Sequence, residues 1–541
     1  MVGLRLTILT LTTFLSSSYA SIGPVADLPI VNAKISPDGF EKMAILAGGS
    51  HPGPTITGNK GDTFKINVTN HLHDDHMLQA TTVHWHGLFQ RHQNQMDGLA
   101  FVTQCPITPN NSFLYNFNVG SQVGTYWYHS HYGVQYCDGL RGPLIIYDPE
   151  DPYRFFYDID DESTIITLMD WYHLPSPQVQ RQVTPDSVLI NGIGRYDGGP
   201  EMPYAVINVQ PWKRYRIRLL NMACKPNYIF SMDKHKFTII EVDGEYVDPL
   251  EVDSIQIYAS QRYSFILETN QPVDNYWIHA DPNTGTNATA ILRYSGAPQG
   301  LPKNRTEPSM LPMNETNLHP LTTLDLSEMS PSRDLFKEEA DVKLNLILGK
   351  NMTTYNFLIN GFQYMSPSMP VLMQLLSGAM TASDLAPNGS VYTLPRNKVI
   401  EISMPPDDAP GRPHPFHLHG HKFAVIRSAG SSAYNYINPV MRDTVSTGVP
   451  GDNVTIRFVT DNPGPWMLHC HIDWHLYVGM AIVFAEAPEE VSVDQPVNSA
   501  SKQLCPVYND MPKETFALPP ATTSMASSTS TASSSTITTS S

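Results

Sequence analysis

The chain has 541 residues, too many for one domain of usual size, and 41% of them are hydrophobic, which is enough for sizeable cores. The formal net charge of −17 argues against binding to nucleic acid or to an anionic membrane surface. Only 16% of the residues are charged, and the 34 glycines and 45 prolines are typical of strands and turns with few long helices.

The N-terminus has the features of a targeting segment. Residues 1–20 combine a basic Arg5, a short apolar run and a small-residue end, which predicts a secretory signal cleaved after Ala20. The apolar run is too short to cross a bilayer and no later segment is long enough, so we expect no membrane anchor. N-x-S/T sequons favour a secreted, extracellular glycoprotein. They begin at Asn67, Asn110, Asn287, Asn304, Asn314, Asn351, Asn388 and Asn453.

After the signal, the chain alternates turn signals with strand-like runs rich in Val, Ile, Tyr, Phe and Thr. Examples are KINVTN at residues 65–70, YRIRLLNM at 215–222 and NVTIRFVT at 453–460. Their spacing favours all-β sandwiches. A short helix is predicted around residues 370–377, but helices do not organise the chain.

A repeat supports the division into domains. GTYWYHSH (residues 124–131) and GPWMLHCH (464–471) share a glycine five residues before an H-x-H pair, and each follows an earlier H-x-H segment. NYWIHAD (275–281) resembles the same strand with one histidine missing. We therefore predict three related β-sandwiches, the middle one without metal ligands. The predicted domains are residues 21–150, 151–318 and 319–518, and a disordered Ser/Thr-rich tail follows at 519–541.

Four H-x-H pairs are the strongest chemical signal in the sequence. Residues i and i+2 of a strand point to the same face, so each pair presents two imidazoles side by side. Two pairs from each of two sandwiches can enclose a polynuclear metal cluster, and imidazole suits Cu, Zn, Fe or Ni. The pairs are His84/His86, His129/His131, His417/His419 and His469/His471.

Cys470 lies between His469 and His471, so its sulfur is expected on the opposite face of that strand. There it can meet His414 and His475, and two histidines with a thiolate and a distant thioether describe a blue-copper site. Met480, ten residues after the cysteine, stands where such sites carry the axial group. The other four cysteines can form two disulfides, in any of three pairings. They are Cys105, Cys137, Cys224 and Cys505.

The motifs HWHG, HSH, HPFHLHGH and HCHIDWH resemble the four copper signatures of multicopper oxidases. The surrounding text, including YCDGLRGPLIIYDP and NPVMRDTVSTG, resembles secreted basidiomycete laccases over nearly the whole mature chain. The resemblance implies three consecutive cupredoxin-like Greek-key domains and four coppers per chain. It also implies disulfides Cys105–Cys505 and Cys137–Cys224.

The resemblance further implies a role for each ligand. The type 2 copper would bind to His84 and His417, and the type 1 copper to His414, Cys470 and His475. Laccases of this kind usually carry Leu or Phe where this chain has Met480, so axial ligation by Met480 is predicted from its spacing and its soft sulfur and not from the resemblance. The type 3 pair would take His86, His129, His131, His419, His469 and His471.

A single H-x-H pair is more often part of a surface strand than a ligand pair. His71 and His73 have the spacing but no counterpart in the repeat, so we place them, with His76, in a solvated loop. His421 follows His419 at the same spacing and could face the cluster by geometry. The family pattern excludes it, and we leave it out of the ligand set.

Reducing O2 to water needs protons, and carboxylates beside the cluster can relay them. Strand alternation would put Asp473 on the cluster side, and Asp97 matches an acidic position of the family near the type 2 copper. For each, the alternative is an ordinary surface or turn aspartate. The organic substrate should donate electrons through an exposed His475. Family members usually carry a carboxylate after the cysteine matching Cys224, but this chain has Lys225, which cannot accept a phenol's proton.

The leading functional hypothesis is a secreted, monomeric laccase. It would oxidise phenols or aromatic amines by one electron at a time and reduce O2 by four electrons. A ferroxidase-like member is the second reading, although iron-uptake ferroxidases are usually membrane-tethered. A copper carrier or electron-transfer protein is the third, and it would leave eight ligands unexplained.

Overall fold

The structure is a computed structural model, and it consists of β-sheets with a few short helices. The model describes residues 21–179, 184–283, 285–303, 309–321, 339–405, 409–411 and 413–514. The predicted signal (1–20) and the predicted tail (519–541) lie outside these ranges. All-β architecture with few short helices is confirmed.

Residues 21–150 form two four-stranded sheets, ordered β2-β1-β4-β6 and β3-β8-β7-β5. Side chains of β6 alternate strictly between buried and exposed, as expected for a strand with one face on the core. The strands are β1 Val25–Ile35, β2 Lys42–Ala47, β3 Ile56–Asn59, β4 Thr63–His71, β5 His84–His86, β6 Ser112–Asn118, β7 Gly124–His129 and β8 Arg141–Tyr147.

Residues 151–318 form a seven-stranded sheet, β11-β10-β9-β13-β18-β15-β16, and a five-stranded sheet, β12-β20-β19-β14-β17. The strands are β9 Ile165–Trp171, β10 Ser187–Ile190, β11 Ile193–Tyr196, β12 Val206–Val209, β13 Arg214–Asn221, β14 Tyr228–Met232, β15 Phe237–Val242, β16 Glu245–Val252, β17 Ser254–Ile257, β18 Arg262–Glu268, β19 Asn275–Pro282 and β20 Ala288–Tyr294.

The remaining described residues form two five-stranded sheets, β21-β25-β30-β27-β28 and β24-β32-β31-β26-β29, and the pair β22-β23. The strands are β21 Val342–Asn345, β22 Leu348–Lys350, β23 Phe357–Ile359, β24 Val391–Leu394, β25 Val399–Met404, β26 Pro415–Leu418, β27 Phe423–Arg427, β28 Met441–Arg442, β29 Thr444–Ser446, β30 Val454–Val459, β31 Gly464–Cys470 and β32 Ala481–Glu486.

The helices are short. The one predicted around residues 370–377 is found as α1. No helix in the described part of the chain is long and apolar enough to cross a membrane. The α-helices are α1 Val371–Leu376, α2 Asp473–Tyr477, α3 Pro488–Asp494 and α4 Ser499–Asn509. Short 3-10 helices span Asn94–Met96, Gln135–Asp138, Glu162–Thr164, Ser176–Gln178 and Glu315–Asn317.

Each of these sheets takes its strands from one of the three predicted segments. We propose that the segments are three domains with boundaries near residues 150 and 318, and we refer to them as the first, middle and last sandwich. Two disulfides join them: Cys105–Cys505 connects the first sandwich to α4, and Cys137–Cys224 connects it to the middle sandwich. Both are the pairings that the resemblance implies, and Cys470 is the free cysteine.

Strand pairing brings the H-x-H segments together two by two. In the first sandwich β5 pairs with β7, so that His84 lies opposite His129. In the last sandwich β26 pairs with β31, so that His417 lies opposite His469. Each of these sandwiches therefore presents four imidazoles from two neighbouring strands and the residues that directly follow them.

Candidate metal centres

Eight buried imidazoles from the first and last sandwiches converge on one place. Their ring nitrogens form three sets in which all members lie within 4.8 Å of one another. Every set contains residues of both sandwiches. The sets are His84/His86/His417, His86/His129/His471 and His131/His419/His469. All eight imidazoles are ones that the resemblance implies as type 2 or type 3 ligands, and their assignment to individual coppers remains a prediction.

The outward nitrogens of these rings contact protein atoms, which fixes how the rings are turned. Nδ1 of His84 donates to the backbone oxygen of Asp97 at 2.7 Å, and Nδ1 of His419 to the Asp97 carboxylate at 2.9 Å. Backbone oxygens accept from Nδ1 of His129, His417 and His469 at 2.8–3.0 Å. Such outer contacts orient metal-binding imidazoles.

The inward nitrogens suit a metal. Among the described residues, no hydrogen-bond partner is found for Nδ1 of His86 or for Nε2 of His84, His129, His131, His417 and His471. Nε2 of His419 lies 3.2 Å from Nε2 of His469, a position in which two lone pairs can share a cation. Burial, and then neighbouring imidazoles, hold the pKa of His129 and of His131 well below the usual range. Neutral imidazole is the form that binds metal.

A second set lies on the other face of β31, as strand alternation predicts. The Cys470 sulfur is 3.7 Å from Nδ1 of His414 and 3.6 Å from Nδ1 of His475, and these two nitrogens are 3.1 Å apart. Burial raises the pKa of the Cys470 thiol. Because a thiol releases its proton to solvent when it coordinates a metal, a bound soft cation would hold Cys470 as thiolate. The three residues fit a type 1 site.

Met480 lies next to this set. It is fully buried, its backbone oxygen accepts from the Cys470 backbone N–H at 3.1 Å, and its own N–H donates to the His475 oxygen at 2.9 Å. Its side chain belongs to the same apolar core as Cys470 and Phe357. These contacts are compatible with an axial thioether and with simple packing, so axial ligation stays a prediction.

The expectation of an exposed His475 is wrong. The residue is only 6% exposed because α2 returns it to the interior, with the Phe357 ring 4.4 Å from its own. Gly411, itself exposed, lies over the ring edge: a Cβ there would meet Cε1 of His475 at 3.2 Å and Nε2 at 3.4 Å. A side chain at position 411 would therefore cover this edge of the ring.

Lys225 lies on the same side of the molecule as His475. Its backbone N–H donates to Asp170 at 3.1 Å, and the backbone oxygen of the preceding Cys224 accepts from the N–H of Asp473, the first residue of α2. Lys225 is half-buried, and burial lowers its pKa. With Lys350, it lowers the pKa of His475 further, after burial and His414. Positive charge thus lies near His475, the residue predicted to receive electrons from the substrate.

Asp97 is fully buried between two predicted ligands. One carboxylate oxygen accepts from Nδ1 of His419, and the other lies 3.3 Å from Nδ1 of His84. Burial opposes its ionisation, but the two imidazoles outweigh burial and hold the pKa of Asp97 well below its usual range. An ionised carboxylate at this point touches ligands of two predicted coppers.

The geometric argument for Asp473 is wrong, because the strand ends at Cys470 and Asp473 begins α2. The carboxylate lies 3.4 Å from the sulfur of Cys137. Burial, and then Asp170, raise the pKa of Asp473 well above its usual range. Burial, and then Asp473, raise the pKa of Tyr136, whose hydroxyl is 3.5 Å from Nδ1 of His471. The role of Asp473 as a relay stays a prediction.

The histidines left out of the ligand set lie elsewhere. His71, His73 and His76 are exposed. His421 is buried but turns to Glu486, whose carboxylate is 3.0 Å from its Nε2. Burial lowers the pKa of His421, yet Glu486 and Asp461 outweigh burial and raise it.

Two residues beside the cluster could not be predicted from the sequence: one contacts ligands directly and the other acts through it. Asp443 contacts His86 and His417, and Arg262 of the middle sandwich pairs with Asp443. Asp443 stands in the NPVMRDTVSTG stretch, which carried only the family resemblance. Arg262 had no local signal, since its partner is 181 residues away.

A cavity of about 730 Å³ opens on the cluster side. It reaches His131 and is bounded by Tyr132, Tyr364, Leu476 and, from the C-terminal segment, Met511 and Glu514. The Glu514 carboxylate holds this segment in place by accepting from the Tyr132 hydroxyl at 2.6 Å. The cavity gives a small molecule a way toward one imidazole of the cluster.

Comparisons with known proteins agree with this geometry. Three multicopper oxidase family models match residues 30–151, 162–297 and 364–490. The chain is similar to Laccase-1 of Fomitopsis schrenkii, with 54% identity over 94% of this chain and 95% of the relative. It is also similar to Laccase-5 of Trametes villosa, with 54% identity over 91% and 95%.

Solved structures give the same picture. A laccase from Botrytis aclada has a TM-score of 0.78 and 29% identity, covering 92% of this chain and 94% of its own. Fet3p, described as a multicopper oxidase that functions in iron import, has a TM-score of 0.78 and 27% identity, covering 90% and 95%. The chain belongs to the multicopper oxidase family.

Proposed function

We propose that this protein is a laccase that oxidises phenols or aromatic amines by one electron and reduces O2 to water. Copper, four per chain, supplies electron transfer and oxygen reduction when bound. The convergence of eight imidazoles with a separate Cys470/His414/His475 set carries the proposal, because a simple copper carrier needs only the second set. The 54% identity to laccases supports phenolic substrates over iron.

The test is a panel of reductants with oxygen uptake recorded and copper counted per chain. Phenols, aromatic amines, an anionic dye and Fe(II) are compared at equal concentration. We expect four coppers and oxygen uptake with phenols or amines. Preference for Fe(II) would favour a ferroxidase, and one copper without oxygen uptake would favour a carrier.

The ligand roles are part of the proposal. His84 and His417 hold the type 2 copper, and His414, Cys470 and His475 hold the type 1 copper. Type 3 ligands are His86, His129, His131, His419, His469 and His471. The protein is proposed to be a secreted monomer without a membrane anchor, as its predicted signal and sequons favour.

The two carboxylates have different proposed tasks. Asp97 orients His84 and His419 and relays protons beside the type 2 site, which its direct contacts with both rings support. Asp473 is the second proposed proton relay, and its raised pKa, caused by burial and then by Asp170, supports a proton-carrying form. Pairs of carboxylates whose environments push their pKa values apart commonly divide acid and base tasks.

Lys225 is expected to set the substrate preference. Its charge disfavours the cation radical formed from a neutral phenol, and it cannot accept the phenol's proton. Lys225→Asp should raise kcat/KM for neutral phenols and leave unchanged or lower it for an anionic dye. Steady-state kinetics on both substrates measure this, with the exposed Lys236→Asp as a charge-matched control. Equal effects on both substrates would place Lys225 outside the pocket.

Met480 is expected to lower the type 1 potential. A thioether that donates weakly to copper stabilises Cu(II) more than Cu(I). A bond of about one to two kcal/mol corresponds to roughly 40–90 mV, at about 59 mV per tenfold change for one electron. Redox titration of Met480→Leu should show a rise of that order. An unchanged or lower potential would mean that Met480 only packs, a common use of this side chain.

A further inference from the structure

Asp443 touches predicted ligands from two sandwiches at once. Its backbone oxygen accepts from Nδ1 of His417 at 2.9 Å, and its carboxylate Oδ1 lies 3.4 Å from Nε2 of His86. In both rings the contacted nitrogen is the outward one, and the inward nitrogen has no partner among the described residues. Asp443 therefore contacts the outward nitrogen of both imidazoles, and at His417 the Thr444 hydroxyl lies 3.3 Å from the same nitrogen.

Arg262 holds the Asp443 carboxylate from the middle sandwich. Nη1 donates to Oδ1 at 2.8 Å and Nη2 to Oδ2 at 2.7 Å, the bidentate geometry that guanidinium and carboxylate prefer. Nε of Arg262 donates to the backbone oxygen of Thr125, in β7 of the first sandwich, at 3.0 Å. Arg262 is fully buried and Asp443 is 2% exposed, so water does not compete for these bonds.

Gly87 shows how tightly the pair is packed against the ligand strand. This residue follows His86 directly and has a φ of +90°. A Cβ at Gly87 would lie 2.7 Å from Nη2 of Arg262 and 2.7 Å from Oδ2 of Asp443. Only a residue without a side chain lets the backbone after His86 approach the ion pair so closely.

We propose that Arg262 and Asp443 act together as a positioning clamp for His86 and His417. The middle sandwich, which supplies no ligand, would thereby help to hold the type 2 copper and one type 3 copper. The inference rests on the proposed copper sites. Its physical basis is that a fixed outer partner sets the tautomer and ring angle of a ligating imidazole, and losing one typically weakens metal binding about 10–100-fold.

The test compares Arg262→Lys with Arg216→Lys. Lysine keeps the positive charge but lacks the planar guanidinium group that can donate two parallel hydrogen bonds to a carboxylate. Arg216 is a matched control because it belongs to the same sandwich, is 2% exposed and pairs with Asp151 and Glu241. Its contacts within the described chain include none of the predicted ligands.

Purified full-length protein is loaded with copper and then challenged with a chelator. Copper per chain, the electron paramagnetic resonance signal of type 2 copper and the blue type 1 absorption are followed. We expect Arg262→Lys to lose copper from the cluster at about 10–100-fold lower chelator concentration, to change the electron paramagnetic resonance signal of the cluster and to stay blue. Arg216→Lys should keep the wild-type signal and copper retention.

Asp443→Asn gives a second variant if Arg262→Lys folds poorly. It keeps the backbone contact with His417, so we expect a larger effect on the type 3 copper than on the type 2 copper. Thermal unfolding with and without copper distinguishes a general structural role from the clamp. A general loss of packing would lower the melting temperature of both forms. Loss of the clamp would lower the melting temperature of the copper-loaded form further.

Wild-type copper retention and wild-type spectra in both Arg262→Lys and Asp443→Asn would overturn the proposed clamp. A spectral change in Arg216→Lys equal to that in Arg262→Lys would also overturn it. Wild-type protein that binds no type 2 copper would instead overturn the proposed function. The two failures are therefore distinguishable.

Discussion

Cys470→Ser is expected to abolish the intense blue colour and electron entry while leaving the type 2 and type 3 coppers bound. A hydroxyl is a hard donor and cannot replace the soft thiolate that gives a blue-copper site its colour. The sulfur lies on the opposite face of β31 from His469 and His471, so its loss leaves the eight imidazoles untouched. Oxygen uptake with any organic reductant should fall to background.

Absorption spectra, electron paramagnetic resonance and copper counts check this result together. Met480→Leu is a suitable control, since it alters the same buried core but keeps the thiolate and should stay blue. A Cys470→Ser protein that remained blue would show that another residue holds the type 1 copper. Loss of all four coppers would show that the two sites are not independent.

Asp97→Asn should reduce turnover by about a hundredfold with all four coppers retained. The amide keeps the size of the side chain and one acceptor oxygen but cannot carry a proton at neutral pH, and general acid–base groups contribute effects of this order. Asp97 contacts His419 and His84, so the variant also tests orientation. Slow turnover with all four coppers retained would indicate that Asp97 relays protons. Loss of copper would indicate that Asp97 mainly orients His84 and His419.

The measurement is oxygen consumption at saturating reductant, with the rate of type 1 reduction recorded separately. Type 1 reduction should be unchanged, because Asp97 lies at the cluster. Asp75→Asn, in the exposed loop near His76, is the control and should behave like wild type. Wild-type turnover in Asp97→Asn would reduce this residue to a turn aspartate.

The ligand strands could be predicted from the sequence because two-residue alternation fixes which side chains share a face. That rule placed His469 and His471 together and Cys470 opposite them, as the structure shows. It could not supply the strand register that puts His84 opposite His129, which depends on pairing between distant strands.

The same rule failed for Asp473, and a simple length argument would have corrected it. If Cys470 and His475 share a metal, the four residues between them cannot be extended, because five steps along a strand would separate the two ligands by roughly 17 Å. A helix or turn is required, and α2 provides it. That turn also buries His475, which the sequence analysis expected at the surface.

Contacts between sandwiches cannot be predicted from local sequence patterns. Arg262 meets Asp443 across 181 residues, and Lys422 meets Glu245 across 177. Buried arginines carry no periodic signal, and their partners are decided by how the sandwiches pack. The outer contacts of the cluster therefore emerge only from the assembled fold.

The disulfide between Cys105 and Cys505 has a consequence for the order of assembly. It spans 400 residues, and in a simple loop-closure account it removes on the order of 6 kcal/mol of chain entropy from the unfolded state. Leu504, beside Cys505, packs in the same core as Cys105. Chains leave the ribosome from the N-terminus, and their domains usually fold in that order. Here the sandwich that is synthesised first has to wait for one of the last helices of the chain to complete its core.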